Sequence, residues 1–290
     1  MFRQRCADRN LGSLFKLTVR FCLLGTLATS CVASAAAQEF RVRTVIYDAT
    51  DDSQTPIASS LTLFHAGKAY DYIDAIREVI VWEPVHNRFT LLNTRAGMAS
   101  TAEFDQIVQM QAVARTATEE HLASIEAKAD PSTAKLVEQL RFQLEPRFHE
   151  TYDAATKQLS LDGPHALYDV LCADDRPNEI VEAYLHYADW MCRLNYVLHP
   201  QGMSPEVRLV LNEHLRQRRL FPVQVRLRSA VAPIRDLRAE HRIRWELVAN
   251  DRDLIREWER QLERESTRRV ILREYQQAIL VGQTTQSKRR

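Results

Sequence analysis

Strand blocks separated by helix blocks predict an α+β fold, a curved antiparallel sheet on the pattern of an unclosed half-barrel, covered by several long helices. Three observations predict it. Residues 40–100 alternate apolar and polar side chains with period two, residues 100–145 and 178–217 switch to helical spacing, and short alternating runs return between and after them. No Pro/Ser-rich linker interrupts the chain beyond its leader, so residues 38–282 read as one domain.

The first strand is carried by Phe40, Val42, Thr44 and Ile46, interleaved with Arg41, Arg43, Val45 and Tyr47. Asp48 to Pro56 is a polar loop. Leu61–Phe64 and Ala69–Ile73 flank His65-Ala66-Gly67-Lys68, a tight turn with Gly where positive φ is cheap. Glu78–Trp82 and Arg88–Leu92 flank a turn containing Pro84 and Asn87, which completes an antiparallel meander. Ser100 with Glu103 reads as a capping box, and Phe104, Ile107, Val108 and Met110 begin a helical stripe running to about Lys128. Asp130-Pro131 opens a second helix that turns Leu136, Val137 and Leu140 inward and stops before Pro146.

Strands return at Arg147–Asp153, Gln158–Leu161 and Ala166–Cys172. A strong helix follows Asp174-Asp175-Arg176-Pro177, with Ile180, Val181, Tyr184, Leu185, Ala188, Met191 and Leu194 on one broad face. Its aromatic stripe, Tyr184, Tyr187, Trp190 and Tyr196, has the spacing of core packing. Ser204-Pro205 opens another helix through about Gln217. Val223, Val225 and Leu227, then Ile243, Trp245 and Leu247, mark two further strands. Asp251 or Asp253 starts the last helix, which reaches toward Leu280 with a break at the polar residues 263–269, and 283–290 form a disordered basic tail.

The N-terminus predicts export. Arg3, Arg5, Arg9, Lys16 and Arg20 precede the apolar run Phe21–Ala28, which is too short to span a bilayer, and Ala35-x-Ala37 offers a signal peptidase site. Residues 1–37 are thus a signal peptide, placing the protein in the periplasm or outside the cell. A second cut, at Ala28-Thr29-Ser30-Cys31, would put a lipid anchor on Cys31. Losing the leader takes Lys+Arg from 39 to 34 and Asp+Glu from 38 to 37, a net charge of about −3, which gives no sign of nucleic-acid binding. No later segment is apolar enough for a transmembrane span. Cys172 and Cys192 remain, either as a disulfide suited to an oxidising compartment or as two buried thiols.

Catalytic motifs are absent. The sequence has no G-x-S-x-G, no P-loop, no G-x-G-x-x-G and no H-E-x-x-H, its glycines are scattered, and no two histidines lie three or four residues apart. No cofactor and no metal is expected. Asp174 and Asp175 are the best acidic candidates, as catalytic groups or as a helix cap. Ten arginines between Pro205 and Arg244 face only Glu206, Glu213, Asp236 and Glu240. Arg226, Arg228, Arg242 and Arg244 lie opposite the apolar residues of their strands, so pairing of those strands makes a guanidinium patch suited to phosphate or carboxylate. The alternative is a solvated face paired with carboxylates such as Glu257, Glu259 and Glu263.

Leu61–Asp71, Glu78–Pro84 and Asn87–Leu92 together resemble the repeated hairpins of the periplasmic outer-membrane lipoprotein carrier family. The resemblance covers about residues 40–100. It implies a curved, unclosed barrel holding acyl chains against helices, and hence an apolar ligand. The chain departs from that family in starting its mature sequence in a strand and in carrying far more helix, so no functional residue transfers. The expected function is that of a non-catalytic exported envelope protein binding a lipid or an anionic envelope polymer. An exported hydrolase with a dispersed site and a structural or interaction module are the alternatives.

Overall fold

Two antiparallel meanders fuse into one sheet in the computed structural model, which describes residues 39–50, 55–128, 130–200, 202–231 and 235–287. The expected signal peptide, the alternative cut at Cys31 and the last three residues lie outside the described residues. The first meander runs β1 (Phe40–Asp48), β2 (Pro56–His65), β3 (Lys68–Ile73), β4 (Glu78–Glu83), β5 (Arg88–Asn93) and β6 (Met98–Glu103). The chain then crosses through α1 (Phe104–Lys128) and α2 (Ala134–Leu144) to the far edge, where β7 (His149–Asp153), β8 (Gln158–Asp162) and β9 (Ala166–Ala173) begin the second meander. A helical hairpin, α3 (Asn178–Leu198) and α4 (Pro205–Arg218), leads to β10 (Phe221–Ser229) and β11 (Arg235–Arg244). β11 pairs with both β10 and β1, which joins the halves. α5 (Ala249–Glu263), β12 (Arg268–Arg269) and α6 (Leu272–Ser287) complete the chain.

The strand order is β12-β6-β5-β4-β3-β2-β1-β11-β10-β9-β8-β7. All pairings are antiparallel except β12 beside β6. β12 and β7 are not paired with each other, so the fold is α+β with an unclosed curved sheet. The described residues all fall in one compact unit.

Period two sorts the sheet into two faces. The inner face carries Phe40, Val42, Phe64, Ile80, Trp82, Phe89 and Val170, and α3 fills it with Val181, Tyr184, Leu185 and Leu194. The Tyr187 ring stands edge-on to Phe64 at 5.4 Å and to Trp82 at 6.0 Å between centroids, and Tyr184 and Trp190 also pack on rings, whereas Tyr196, the last of the aromatic stripe, borders a pocket. On the outer face, Leu61, Leu63, Tyr70, Val79, Val81 and Leu92 form a second core under Ile255 and Trp258 of α5. That core reaches β2 and stops. Across β1, β11 and β10 the same face carries arginines instead.

Several elements differ from expectation. Ser100 is buried in the middle of β6, and the helix entrance is made differently: the Phe104 N–H donates to Asn87 O at 2.8 Å. Phe104 and Ile107 face the core, but Val108 and Met110 are exposed because the next inward turn of α1 is taken by Gln111, which donates to Arg193 O. Leu136 is likewise exposed, and Phe142 is the residue that anchors α2. β11 starts earlier than Ile243 and ends before Trp245, since Ala239 and His241 hold inward positions that hydropathy does not mark. The last helix does break, at Arg264, and the polar stretch pairs through its backbone: Arg268 N–H donates to Gly97 O and Val270 N–H to Ala99 O. α6 then continues as helix through Ser287, past the start of the expected tail, because each further residue of a nucleated helix adds a hydrogen bond. Its Tyr275 hydroxyl donates to the buried Glu78 at 2.7 Å, tying the helix to β4.

α5 covers the outer core through one buried carboxylate. Asp251, fully buried, accepts from Arg41 Nη1 at 2.7 Å and from the Val248 N–H at 3.1 Å, so it joins β1 to the first turn of the helix. Removing it strands a half-buried guanidinium and an unpaired amide. Asp251→Ala is expected to lower stability by about 2–4 kcal/mol and Asp251→Asn by roughly half as much. Urea denaturation measures both, and a loss below about 0.5 kcal/mol for the alanine variant would contradict this role.

Candidate functional site

The strands bearing the predicted arginine patch do pair. Arg226 lies opposite Arg238 and Arg228 opposite Asp236, whereas Arg242 and Arg244 extend past β10 and oppose Arg43 and Arg41 of β1. All four share the outer face but form two groups. Arg226 is forked onto Asp236 at 2.9 and 2.7 Å, and Arg228 donates to Asp169 at 2.9 Å. Arg242 and Arg244 are exposed and make no ion pair among the described residues. The helix carboxylates serve elsewhere: Glu257 pairs with Arg260 and Arg264, and Glu259 accepts from the Tyr70 hydroxyl.

Cys172 and Cys192 are free thiols, on β9 and α3, and no disulfide joins them. Their Sγ atoms approach Val170 O at 3.7 Å and Asp189 O at 3.1 Å. Burial pushes each thiol up to about 12, so neither supplies a thiolate at neutral pH. Asp174 is paired with Lys157, whose ammonium holds the carboxyl below its usual range, and Asp175 lies 3.1 Å from Arg176. The N-cap of α3 is Pro177, without a side-chain hydrogen bond, so neither aspartate caps that helix. Histidine–carboxylate contacts among the described residues are His65–Glu39, His86–Glu83 and His214–Glu150, and none borders the cavities described here.

A cavity of about 450 Å³ lies between the inner face of the sheet and the α3–α4 hairpin. Alternate residues of four strands make one wall: Thr44 and Ile46 of β1, Leu237, Ala239 and His241 of β11, Val225 and Leu227 of β10, and Tyr168 of β9. Cys192 and Asn195 of α3, Met203, Ser204, and Pro205 and Arg208 of α4 make the other. Pro205, in the first turn of α4, fixes φ where a helix can start without an N–H, and so sets where Arg208 leaves the helix.

Two basic side chains give this mostly apolar space its chemistry. His241 shares a hydrogen bond of 2.9 Å between its Nδ1 and the Thr44 hydroxyl. Burial, assisted by the positive charge of Arg208, pushes the imidazole down to about 4, so it is neutral at neutral pH. Arg208 is half-buried. Its Nε donates to Asn212 Oδ1 at 3.0 Å, Asn212 Nδ2 donates to Asp189 Oδ1 at 2.7 Å, and Asp189 is itself ion-paired to Arg216 at 2.6 Å. Among the described residues Arg208 has no ion-pair partner of its own. A guanidinium has five N–H donors, so most of those on Arg208 remain for a ligand.

A larger groove of about 740 Å³ runs beside α1 and α2, past Glu119, Glu138, Arg141 and His165. Much of its charge is already matched, by Arg115–Glu119 at 2.9 Å and Arg141–Glu126 at 2.7 Å. The groove also holds Arg147, which has no ion pair among the described residues but is exposed; the cavity at Arg208 differs in that its unmatched cation is half-buried and stands beside a neutral histidine. Sequence reasoning missed it. The available signal was the parity of His241 with Ile243, which puts a histidine on the buried side of a strand. Arg208 carried a fainter one, following the buried Val207 on a helix whose inward face continues through Leu211 and Leu215.

No family model matches the chain, and no curated protein matches it in sequence.

His241 makes stability pH-dependent with a definite sign. Its folded pKa of about 4 lies below the ordinary value near 6.5, so protons bind preferentially to the unfolded chain. The stability this contributes is complete above pH 6.5 and is lost as pH falls toward 4. Between pH 7 and pH 4.5 the loss is on the order of 2 kcal/mol. His241→Gln, which keeps a partner for Thr44, is expected to remove that part of the pH dependence. Urea midpoints at the two pH values check it, and an unchanged difference would show that His241 is not buried neutral.

Proposed function

We propose that the chain is a non-catalytic binding protein of the bacterial envelope, exported by its leader, that takes an amphipathic anion into the cavity between sheet and α3–α4. The ligand class is a fatty acid or an acyl chain with an acidic headgroup. The observation that carries this reading is Arg208, a half-buried guanidinium without an ion-pair partner among the described residues, at the wall of an otherwise mostly apolar space. A buried charge without a counter-ion is unfavourable, and an incoming carboxylate or phosphate relieves it. Ile46, Val225, Leu227, Leu237 and Met203 supply the surface for the apolar tail, within the size range of small-molecule sites.

Binding is favoured over hydrolysis by the state of the groups at the wall. Cys192 is a thiol held neutral, and His241 bonds to Thr44 rather than to a carboxylate. The hairpins over residues 61–93 suggest a carrier-like form of this role.

Titration with laurate, with its uncharged glycerol ester as control, tests the reading by calorimetry and native mass spectrometry. Laurate is expected to bind in one-to-one ratio and more tightly than the ester. Arg208→Gln, which keeps a donor for Asn212, is expected to weaken laurate about tenfold or more while leaving the ester unchanged, because a hydrogen bond to a charged group is worth about 1.5–3 kcal/mol. Failure of laurate to bind, or equal affinity in the variant, would overturn the proposal.

A further inference from the structure

The two ends of the sheet are finished differently. β12 is two residues long and both are exposed arginines, short and charged in the way that keeps a sheet edge from pairing with another chain. β7 is five residues long, contains neither Lys nor Pro, and pairs with β8 in unbroken register. It is the terminal strand, so the backbone groups along its free side have no ladder partner among the described residues. An inward-pointing charge also protects an edge. The inward acid of β7, Glu150, is neutralised: it accepts from Arg218 Nε at 2.6 Å and is bonded to His214.

An unprotected edge is a template for another strand, and the residues of β7 select a second β7. A two-fold axis through Thr151 brings the strands of two copies into full antiparallel overlap. In that register His149 lies opposite the partner's Asp153 at both ends, Thr151 opposite the partner's Thr151, and Glu150 opposite the partner's Tyr152. Thr–Thr pairs and opposite charges in cross-strand register each stabilise a sheet, and a histidine answers a carboxylate as imidazolium or as a neutral N–H donor. His149, Thr151 and Asp153 are exposed on the outer face, where Thr151 continues the row of Arg226, Asp169 and Ser160. Asp153 is held in place by the Ala155 N–H and the Thr156 hydroxyl, which donate to it at 2.8 Å each. On the inner face the Arg218 guanidinium lies 4.9 Å from the Tyr152 ring centroid as well as on Glu150, so no uncompensated charge enters the contact. Other registers fit less well. An axis through Glu150 sets that acid against itself, one through Tyr152 leaves His149 without an acid, and one between residues sets outer-face side chains beside inner-face ones.

We propose that the chain forms a two-fold homodimer by pairing β7 with β7 of a second copy, which continues the sheet across the axis. A pair of such short strands buries less than a standard interface, so the dimer is of the weak, reversible class. β7 lines no part of the cavity at Arg208, so the contact is independent of the ligand proposed for it.

Sedimentation velocity of the exported protein between about 1 and 300 μM, a range that spans weak association, tests this. A concentration-dependent monomer–dimer equilibrium is expected. Thr151→Lys, which sets two like charges face to face at the axis, is expected to weaken dimerisation at least about fivefold. Position 151 is exposed, and circular dichroism checks that the variant folds. Thr151→Cys places one thiol from each copy at the axis, within the Cβ spacing of directly opposed residues, and is expected to give a disulfide-linked dimer on mild oxidation. Gln158→Cys, exposed on the same face of β8, is expected to stay monomeric. The native thiols of Cys172 and Cys192, pushed up to about 12, do not compete. A monomer at every concentration, a dimer that Thr151→Lys leaves intact, or equal cross-linking from positions 151 and 158 refutes the proposal.

Discussion

A curved sheet that does not close must have its inner face filled by something other than itself, and α3 meets that constraint. Among the described residues twelve strands leave β7 and β12 unpaired with one another, so the inward residues of β1 to β6 and β8 to β11 cannot pack across a barrel. α3 lies against them with Val181, Leu185 and Leu194, and with Tyr184 and Tyr187 reaching Phe64, Phe221 and Trp82. Once α3 is placed, the positions of the other helices follow. α4 folds back from it, α1 stacks Phe104 on Trp190 at 3.6 Å between ring centroids, and α6 reaches it through Gln276, which donates to Val197 O.

The candidate site follows from the limits of the same packing. A single straight helix cannot fill a curved surface along its whole width. Under β9, β10, β11 and β1, where α3 hands over to α4, the wall of the sheet and the helical hairpin remain apart by the volume of a small ligand. A gap lined only by Ile46, Leu227 and Leu237 would be an apolar void, unfavourable in lost contacts. Arg208, His241 and Thr44 change its character: they make it a place where water or a ligand with a polar end is accommodated. Keeping His241 neutral leaves Arg208 as the positive charge beside that space.

Much of the architecture was legible because it is written in short-range periodicity. The alternation at 40–47, 61–64, 69–73, 78–82 and 88–92 specified β1 to β5, and the broad stripe from Ile180 to Leu194 specified α3 as the core helix. Periodicity is mute where backbone or tertiary context decides. Nothing in Arg268-Arg269 marks a strand, because its ladder to β6 is made by main-chain groups, which carry no sequence pattern. Val108 and Met110 carry the hydropathy of a core stripe but face outward, since Gln111 takes the inward position. Ser100 and Glu103 have the letters of a capping box and lie in β6. The arginines of β10 and β11 were placed on the correct face, but sequence could not say that Arg226 and Arg228 would find Asp236 and Asp169 while Arg242 and Arg244 would pass beyond their reach. The cavity joins Thr44 to Arg208 and His241 across most of the chain, a proximity that only the closure of β1 against β11 creates.

The most direct test of the account is a crystal structure of the exported protein with a terminally brominated fatty acid, read by the anomalous signal of the bromine. The account predicts one bromine peak inside the cavity, among Met203, Val225, Leu227 and Leu237, with the carboxylate against Arg208. A bromine at any other place on the protein, or an empty cavity at saturating ligand, would contradict it.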